Sequence, residues 1–304
     1  MTYTSAQKMV REWLARREAL LLAHNYQPGE IQDVADFTGD SLGLSLTAAR
    51  TPAKVIVFAG VHFMAETAAI ICPDKTVLLP RLDVGCYMAA TITPESLRAR
   101  KQELPGVPVV AYVNSSAAVK AESDICCTSA NAVRVVNSLT ASRVLMVPDR
   151  NLALYVSRHT SKDILTWEGC CNIHDLLSVS EVMAAKAAHP QALFVAHPEC
   201  RLEVLELADA VRSTTGMLEF VKRTPNQEFI IGTEMGIIHT LKKENPDKSF
   251  YPASPRLICP DMKRITLRDI VVSLKENRHH ITIPSEIRER AFQAVARMLA
   301  VPRD

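Results

Sequence analysis

Several features that define specialised protein classes are scarce in this chain of 304 residues. Glycine occurs ten times, aromatic residues make up 5% of the chain, and there is no collagen-like or low-complexity segment. The 35 Lys and Arg nearly balance the 33 Asp and Glu, and no basic block interleaved with aromatic residues occurs, which argues against nucleic acid as a partner. Hydrophobic residues at 48% and charged residues at 22% are typical of an ordinary globular protein with a large core.

Long hydrophobic runs are also missing. The longest, Ala19–Ala23 and Val55–Ala59, fall far short of the roughly 20 residues that cross a bilayer. Charged residues such as Arg11 and Glu12 precede any apolar run, an order that differs from that of a signal peptide. We therefore expect a cytoplasmic protein without membrane contact, whose eight cysteines serve as thiols, metal ligands or redox groups rather than as a disulfide scaffold.

Strand-like and helix-like segments alternate along the whole chain. Val55–Gly60, Val109–Val113 and Glu228–Thr233 are short and apolar, whereas Pro94–Leu104 and Met217–Arg223 have the helical period. This alternation predicts an α/β protein with parallel sheets.

The alternation repeats about every 86 residues. A polar group follows the first predicted strand of each repeat: His24-Asn25-Tyr26, Tyr112-Val113-Asn114 and His197-Pro198-Glu199. A hydroxyl residue lies 17 positions beyond the start of each group, and an aspartate precedes it by five: Ser41 with Asp36, Ser129 with Asp124, and Thr214 with Asp209. One cysteine closes each repeat: Cys86, Cys171 and Cys259. Spacing this regular indicates three copies of one structural unit.

Units of this size are small for independent domains, and burying their faces against one another gives a single body around a pseudo-threefold axis. We therefore predict three fused, three-layer αβα domains with parallel sheets, at residues 1–85, 86–172 and 173–304. The third includes two C-terminal helices, from Thr266 onward, which have no counterpart in the repeat and can pack on any of the three domains.

The repeated polar residues fall beyond the carboxyl ends of the strands, where open α/β sheets bind ligands. If the domains face inward, these side chains meet in one cavity: His24, Tyr26, Ser41, Tyr112, Asn114, Ser129, His197, Glu199 and Thr214. Ser41, Ser129 and Thr214 precede helix-like runs, whose free N–H groups and dipole attract phosphate or carboxylate. A simple helix N-cap is the alternative role for each of them.

Cys86, Cys171 and Cys259 carry a more specific signal, because a threefold arrangement would bring their sulfurs to one point. Three thiolates suit a zinc ion with an open fourth position, or a 4Fe-4S cluster with one iron that lacks a protein ligand. Either group would act as a Lewis acid. The other five cysteines have no counterpart in the repeat, and we expect them to serve in packing: Cys72, Cys126, Cys127, Cys170 and Cys200.

Nine short motifs are spread over nearly the whole chain. They are His24-Asn25-Tyr26-Gln27, Gly39-Asp40-Ser41, Tyr112-Val113-Asn114, Pro148-Asp149-Arg150-Asn151-Leu152, Trp167-x-Gly169-x-Cys171-x-x-His174, His197-Pro198-Glu199-Cys200, Ser213-Thr214-x-Gly216, Gly232-Thr233-Glu234-x-Gly236 and Cys259-Pro260-x-Met262-Lys263. In this order they resemble the quinolinate synthase family, the iron–sulfur enzymes of de novo NAD biosynthesis. The resemblance implies three α/β domains about a pseudo-threefold axis and a 4Fe-4S cluster held by Cys86, Cys171 and Cys259. The Trp-x-Gly-x-Cys frame selects Cys171 over the adjacent Cys170.

The resemblance also implies a reaction, in which iminoaspartate, the product of aspartate oxidase, condenses with dihydroxyacetone phosphate to give quinolinate, phosphate and two waters. The open iron would coordinate substrate-derived intermediates, and a transient contact with aspartate oxidase is a further expectation. The substrate carboxylates and the phosphate would bind His24, Ser41, Tyr112, Asn114, Ser129, His197, Glu199 and Thr214. Tyr26, Tyr112 and Glu199 are the candidates for proton transfer, because enolisation, ring closure and dehydration all move protons.

Two other functions stay open on the residues alone. A metal-dependent aldolase or hydro-lyase for another phosphorylated ketone would share the anion sites and would work without iminoaspartate. An iron–sulfur sensor or electron carrier would instead expose its cluster and have little need of His24, Tyr112 or Glu199.

Overall fold

The computed structural model describes residues 3–302. In this range the chain forms three four-stranded parallel sheets flanked by helices, and each sheet comes from one sequence repeat. This confirms the predicted class of three repeated αβα units. Among the described residues, no helix is long and apolar enough to cross a membrane.

Each unit alternates four helices with four strands. The first contains α1 (Ser5–Arg16), β1 (Ala19–His24), α2 (Gly29–Val34), β2 (Phe37–Gly39), α3 (Ser41–Arg50), β3 (Val55–Ala59), α4 (His62–Ile71) and β4 (Thr76–Leu78). The second contains α5 (Pro94–Glu103), β5 (Val109–Tyr112), α6 (Ala117–Ala121), β6 (Ile125–Cys127), α7 (Ala132–Ser138), β7 (Arg143–Val147), α8 (Arg150–Ser157) and β8 (Asp163–Thr166).

A short helix, α9 (Asn172–Asp175), leads into the third unit. That unit contains α10 (Val179–Ala188), β9 (Leu193–Ala196), α11 (Leu202–Leu205), β10 (Ala210–Val211), α12 (Thr214–Arg223), β11 (Glu228–Gly232), α13 (Ile237–Glu244) and β12 (Ser249–Pro252). Two helices follow it, α14 (Leu267–Glu276) and α15 (Ser285–Leu299).

The three sheets share one topology. Their strand orders are β2-β1-β3-β4, β6-β5-β7-β8 and β10-β9-β11-β12, so the first and third strands of each unit lie side by side at the centre. The chain leaves the first strand toward one edge and returns past it, which makes the junction of these two strands a topological switch point. Ligands bind at such points, beyond the carboxyl ends of the strands.

The repeated aspartates fasten the second strand of each unit to the first. Asp36, Asp124 and Asp209 accept backbone N–H groups from Leu21, Val109 and Phe194 at 2.8, 2.8 and 2.7 Å. A carboxylate that receives a backbone donor at this distance makes a charge-assisted hydrogen bond. The identical sequence spacing therefore reflects one structural bond made three times.

The two C-terminal helices pack on different units. α14 lies against α1 and β3 of the first unit, while α15 lies mainly against α6 and β6 of the second and also contacts α4 of the first. The division of the chain at residues 85 and 172 stays a prediction.

Candidate active site

One cavity of about 290 Å³ opens at the carboxyl ends of the central strands of all three units. It is lined by the residues that the sequence singles out: His24, Tyr26, Ser41, Cys86, Tyr112, Asn114, Ser129, Cys171, His197, Glu199, Thr214 and Cys259. The three units thus bring every one of these side chains to a single site. Their individual roles stay predictions.

His24 and His197 occupy the same position in the first and third units, and both are buried. The backbone N–H groups of Tyr26 and Glu199 donate to Nδ1 of His24 and of His197, at 3.1 and 3.3 Å. Burial lowers the pKa of His24 to about 4 and that of His197 to about 3, so both rings are neutral at pH 7. Because Nδ1 already accepts a bond, each neutral ring keeps Nε2–H as its donor.

Glu199 is a buried carboxylate among several donors. Its Oε2 lies 2.7 Å from Nδ1 of His174 and 3.6 Å from Nδ1 of His197, and its Oε1 lies 3.5 Å from Nδ2 of Asn114. Burial raises the pKa of Glu199, but hydrogen bonds from His174 and Tyr112 favour the carboxylate and hold its pKa below the usual range. Glu199 is therefore held in its ionised form.

A hydrogen-bonded chain joins Tyr26 to Glu199. The Tyr26 hydroxyl lies 2.5 Å from Oγ1 of Thr233, which lies 2.8 Å from Nε2 of His174, and the other nitrogen of that ring faces Glu199. Burial, with the charge of Glu199 second, raises the pKa of Tyr26 well above 10. Tyr26 therefore keeps its proton and is a potential donor at one end of a chain that ends in a carboxylate.

The hydroxyl residues are not themselves the helix N-caps. Ser41 and Thr214 are the first residues of α3 and α12, and the capping side chains are Asp40 and Ser213. The hydroxyls therefore lie beside the free N–H groups of the first helical turn without consuming them.

Ser129 also precedes a helix, but it lies further from the helix than Ser41 and Thr214 do. α7 begins at Ala132, because Asn131 closes a turn by accepting bonds from the N–H and the hydroxyl of Thr128 at 2.8 and 3.0 Å. Ser129 lies in that turn and hydrogen-bonds Tyr112, whose pKa is raised by burial and by Glu199.

In each unit, the same backbone hydrogen bond is made just before the cavity cysteine. The N–H groups of His62, Arg150 and Met235, just past the third strands, donate to the carbonyls of Val84, Gly169 and Leu257 at 3.1, 2.7 and 2.8 Å. Each acceptor lies two residues before a cavity cysteine, so Cys171 rather than Cys170 occupies the position of Cys86 and Cys259. Gly169 permits this approach, since a Cβ there would clash with the Thr91 side chain and the Pro148 carbonyl oxygen.

The cysteine environment fits a thiolate-bound metal group. Burial raises the pKa of Cys86 to about 12, and it raises the pKa values of Cys171 and Cys259 as well. Each sulfur accepts a backbone N–H from the residue three positions on, which favours the thiolate: Ala89, His174 and Met262. The negative charges of neighbouring thiolates oppose ionisation. A positively charged metal group at their meeting point would reverse that balance.

A second set of candidate metal ligands overlaps the first. Atoms of Cys171, His174 and Glu199 lie within 4.8 Å of one another and could hold a single ion. In this structure Nδ1 of His174 serves both neighbours, at 3.1 Å from the Cys171 sulfur and 2.7 Å from Glu199. Hydrogen bonds therefore already account for this grouping.

Three residues in or next to the cavity belong to the sequence motifs, but the sequence analysis predicts no role for them. His174 and Thr233 form the chain from Tyr26 to Glu199, and Glu234 lines the cavity beside Cys259. The spacing Cys171-x-x-His174 was the one available signal for His174. Thr233 reaches Tyr26 of the first unit, and Glu234 reaches the backbone of Cys259 within its own unit. The spacing of residues along the chain reveals neither contact.

Comparisons with known proteins agree with the motifs. The family model described as Quinolinate synthetase A protein matches residues 8–300. A quinolinate synthase of Geotalea uraniireducens is 57% identical over 295 residues, 97% of each chain. Those of Methanosarcina barkeri and Thermodesulfovibrio yellowstonii are 54% and 52% identical, covering 96% and 97% of this chain and 96% and 98% of their own. The resemblance seen in the nine motifs is thereby confirmed, and the chain belongs to the quinolinate synthase family.

Proposed function

We propose that this chain makes quinolinate by condensing iminoaspartate with dihydroxyacetone phosphate, with release of phosphate and two waters. The observation that carries the proposal is the single cavity, into which three repeats each bring one cysteine and one set of anion-binding or proton-moving groups. The family membership supports the same product. We further propose that the chain acts in cytoplasmic NAD biosynthesis.

Cys86, Cys171 and Cys259 would hold a 4Fe-4S cluster in this cavity. When bound by three thiolates, such a cluster has one iron without a protein ligand, and that iron supplies a Lewis acid for substrate oxygens. The equivalent placement of the three cysteines and the N–H groups that donate to their sulfurs support this assignment.

The substrates carry two carboxylates and one phosphate, and the cavity offers neutral donors for them. The Nε2–H groups of His24 and His197 and the side chains of Asn114 and Tyr112 can bind carboxylate oxygens. The first turns of α3 and α12, at Ser41 and Thr214, suit the phosphate, because free N–H groups and the helix dipole favour an anion. Ser129 would complete this set from the second unit.

Proton transfer falls to the two ends of the hydrogen-bonded chain. Glu199 is ionised and can accept a proton during enolisation, and His174 and Thr233 connect it to the Tyr26 hydroxyl, which can donate one to a leaving oxygen. Tyr112 contacts Glu199 from the second unit and is a further donor. Such a path would carry the proton that Glu199 takes from the substrate through His174 and Thr233 to Tyr26, where it would replace the proton that the Tyr26 hydroxyl has donated.

Imines hydrolyse in water, so a transient contact with aspartate oxidase would shorten the exposure of iminoaspartate. We include this contact in the proposal as the expected source of the substrate.

The test is a product assay on anaerobically purified protein. We expect quinolinate only when iminoaspartate and dihydroxyacetone phosphate are both present, with phosphate released in equal amount. Consumption of dihydroxyacetone phosphate alone would instead support the aldolase or hydro-lyase. Reversible redox signals without product would support a sensor or electron carrier.

A further inference from the structure

Two buried carboxylates accept hydrogen bonds from the backbone N–H groups of two of the three cavity cysteines. Asp149, at the end of β7, is 2% exposed. Its Oδ1 accepts the N–H of Leu152 at 2.7 Å, and its Oδ2 accepts the N–H of Cys171 at 3.3 Å. Both oxygens of this carboxylate are therefore occupied by backbone donors, one of which belongs to a cysteine of the cavity.

Glu234 makes the same kind of contact in the third unit. Its Oε1 accepts the N–H of Cys259 at 3.1 Å, and its Oε2 accepts the N–H of Gly236 at 2.7 Å. Lys263 pairs with both oxygens, at 2.8 and 3.0 Å, and also donates to the carbonyl of Tyr26. Glu234 is 1% exposed, whereas the Lys263 side chain is partly exposed.

The two carboxylates hold equivalent positions in the repeat. Each lies 37 residues beyond the start of its polar group, and the first unit has Val61 at that position. A valine side chain cannot accept a hydrogen bond from an N–H group. In the first unit, the loop before Cys86 is instead held by a residue of another unit. The N–H of Gly85, next to Cys86, donates to Oδ1 of Asp261 of the third unit at 3.1 Å.

We propose that Asp149 and Glu234 are positioning residues for the cluster ligands, fixing the backbones of Cys171 and Cys259. This inference rests on the proposed function, because it assigns these residues to the cluster that the cysteines would hold. Each carboxylate receives a donor at both oxygens, and an amide would present an NH₂ group to one of those donors. The conservative changes Asp149→Asn and Glu234→Gln therefore break one backbone bond each.

The Glu234–Lys263 pair gives the inference a second, electrostatic consequence. Removing the negative partner leaves a positive charge near the cluster, which favours the reduced state and raises the midpoint potential. Removing the positive partner in Lys263→Gln leaves the carboxylate and lowers the potential. A role limited to folding would not give shifts of opposite sign.

The experiment compares reconstituted holoproteins anaerobically. Cluster loss to an iron chelator is followed by absorbance, and the midpoint potential is measured by electron paramagnetic resonance during redox titration. We expect Asp149→Asn and Glu234→Gln to lose the cluster about 10- to 100-fold faster than wild type, because loss of a group that orients a metal ligand typically lowers metal affinity by about that factor. Lys263→Gln should shift the potential opposite to Glu234→Gln.

The matched control is Asp209→Asn, which alters a carboxylate that also accepts a backbone N–H, from Phe194, but at the amino end of the sheet. It should leave both readouts unchanged. Wild-type lifetimes and potentials in Asp149→Asn and Glu234→Gln would overturn the inference. If Glu234→Gln does not fold, Lys263→Gln decides, with a lowered potential supporting the inference and an unchanged one overturning it.

Failure of the proposed function has a different signature. In that case the wild-type chain itself would bind no cluster or make no quinolinate, whatever the variants do.

Discussion

At the scale of single residues, Glu199 determines the electrostatics of the cavity. Its ionised carboxylate raises the pKa values of Tyr26 and Tyr112, next to the larger effect of burial, and contacts His174 directly. One carboxylate thus keeps two phenols protonated and holds an imidazole in position. Replacing it removes the acceptor and changes all three neighbours.

We therefore predict that Glu199→Gln lowers the rate of quinolinate formation by about 10²- to 10⁴-fold, the range for loss of a general acid or base. The iron content should be unchanged, because Glu199 is not among the proposed ligands. Glu203→Gln, on the exposed side of the same segment, is the control and should retain the wild-type rate. An active Glu199→Gln enzyme would remove Glu199 from the mechanism.

The buried histidines predict a dependence of stability on pH. Burial lowers the pKa of His24 to about 4 and that of His197 to about 3, from 6.5 in the unfolded chain. Between pH 6.5 and these lower values, the two histidines bind protons in the unfolded state but not in the folded state. Lowering the pH through this range therefore favours unfolding. Each histidine should lower the free energy of unfolding by up to about 1.4 kcal/mol per pH unit below pH 6.5.

Denaturant unfolding at pH 7, 6 and 5 measures this effect. His24→Asn and His197→Asn should each flatten the decrease relative to wild type, whereas His159→Gln, at an exposed position, should not. Equal slopes for all four proteins would show that the two histidines are not buried in neutral form.

Among the helices and strands, three lysine side chains cap the C-terminal ends of equivalent helices. Lys75, Lys162 and Lys248 each precede the fourth strand of their unit, and each donates to two backbone carbonyls at or just beyond the end of the helix after the second strand. The last carbonyls of a helix have no partner within it and carry partial negative charge. A lysine ammonium satisfies both requirements, which explains its recurrence.

We predict that Lys248→Met destabilises the protein by about 1 to 3 kcal/mol, since it removes two bonds from a charged donor to carbonyls of α12 and its C-cap. Lys242→Met, on the exposed face of α13, should change stability by less than about 0.5 kcal/mol. Chemical denaturation measures the free energy of unfolding of both variants. Equal values would show that Lys248 does not stabilise the end of α12.

The elements also show where sequence reasoning succeeds and where it stops. Strict spacing located His24, Ser41 and Cys86 with their counterparts, because the strands and loops that carry them recur in each unit. The backbone hydrogen bond two residues before each cavity cysteine, for example, is made three times. Ser129 departed from the pattern because Asn131 closes a local turn, a choice between two short-range structures that spacing does not decide. Asp149 and Glu234 stand in two of the motifs, but the sequence does not predict their role. Their partners are backbone N–H groups, which only the folded chain brings close.

At the scale of the whole molecule, the C-terminal helices complete two of the three units. The inward face of α15 buries Ala291, Ala294, Val295 and Met298 against the second unit, and Arg297 donates to the carbonyl of Asp124 there. The repeat predicts no such cover for this unit. The helix is therefore part of its core.

Met298→Ala should cost about 2 to 5 kcal/mol, the range for truncating a fully buried side chain, because Met298 is 0% exposed. Leu299→Ala is the matched control one residue away, 36% exposed, and should cost far less. Thermal unfolding of both variants tests the assignment, and equal costs would mean that α15 does not pack as described.

In the proposed enzyme, one cysteine from each repeat holds a single 4Fe-4S cluster at the shared cavity. The most direct test is the iron and sulfide content of the anaerobically reconstituted chain, beside Cys86→Ser, Cys171→Ser, Cys259→Ser and the control Cys170→Ser. We predict about four irons and four sulfides per chain in the wild type and in Cys170→Ser, and a large loss in the other three. One metal ion per chain without sulfide, or a cluster that depends on Cys170 and not on Cys171, would show that these three cysteines do not hold a 4Fe-4S cluster.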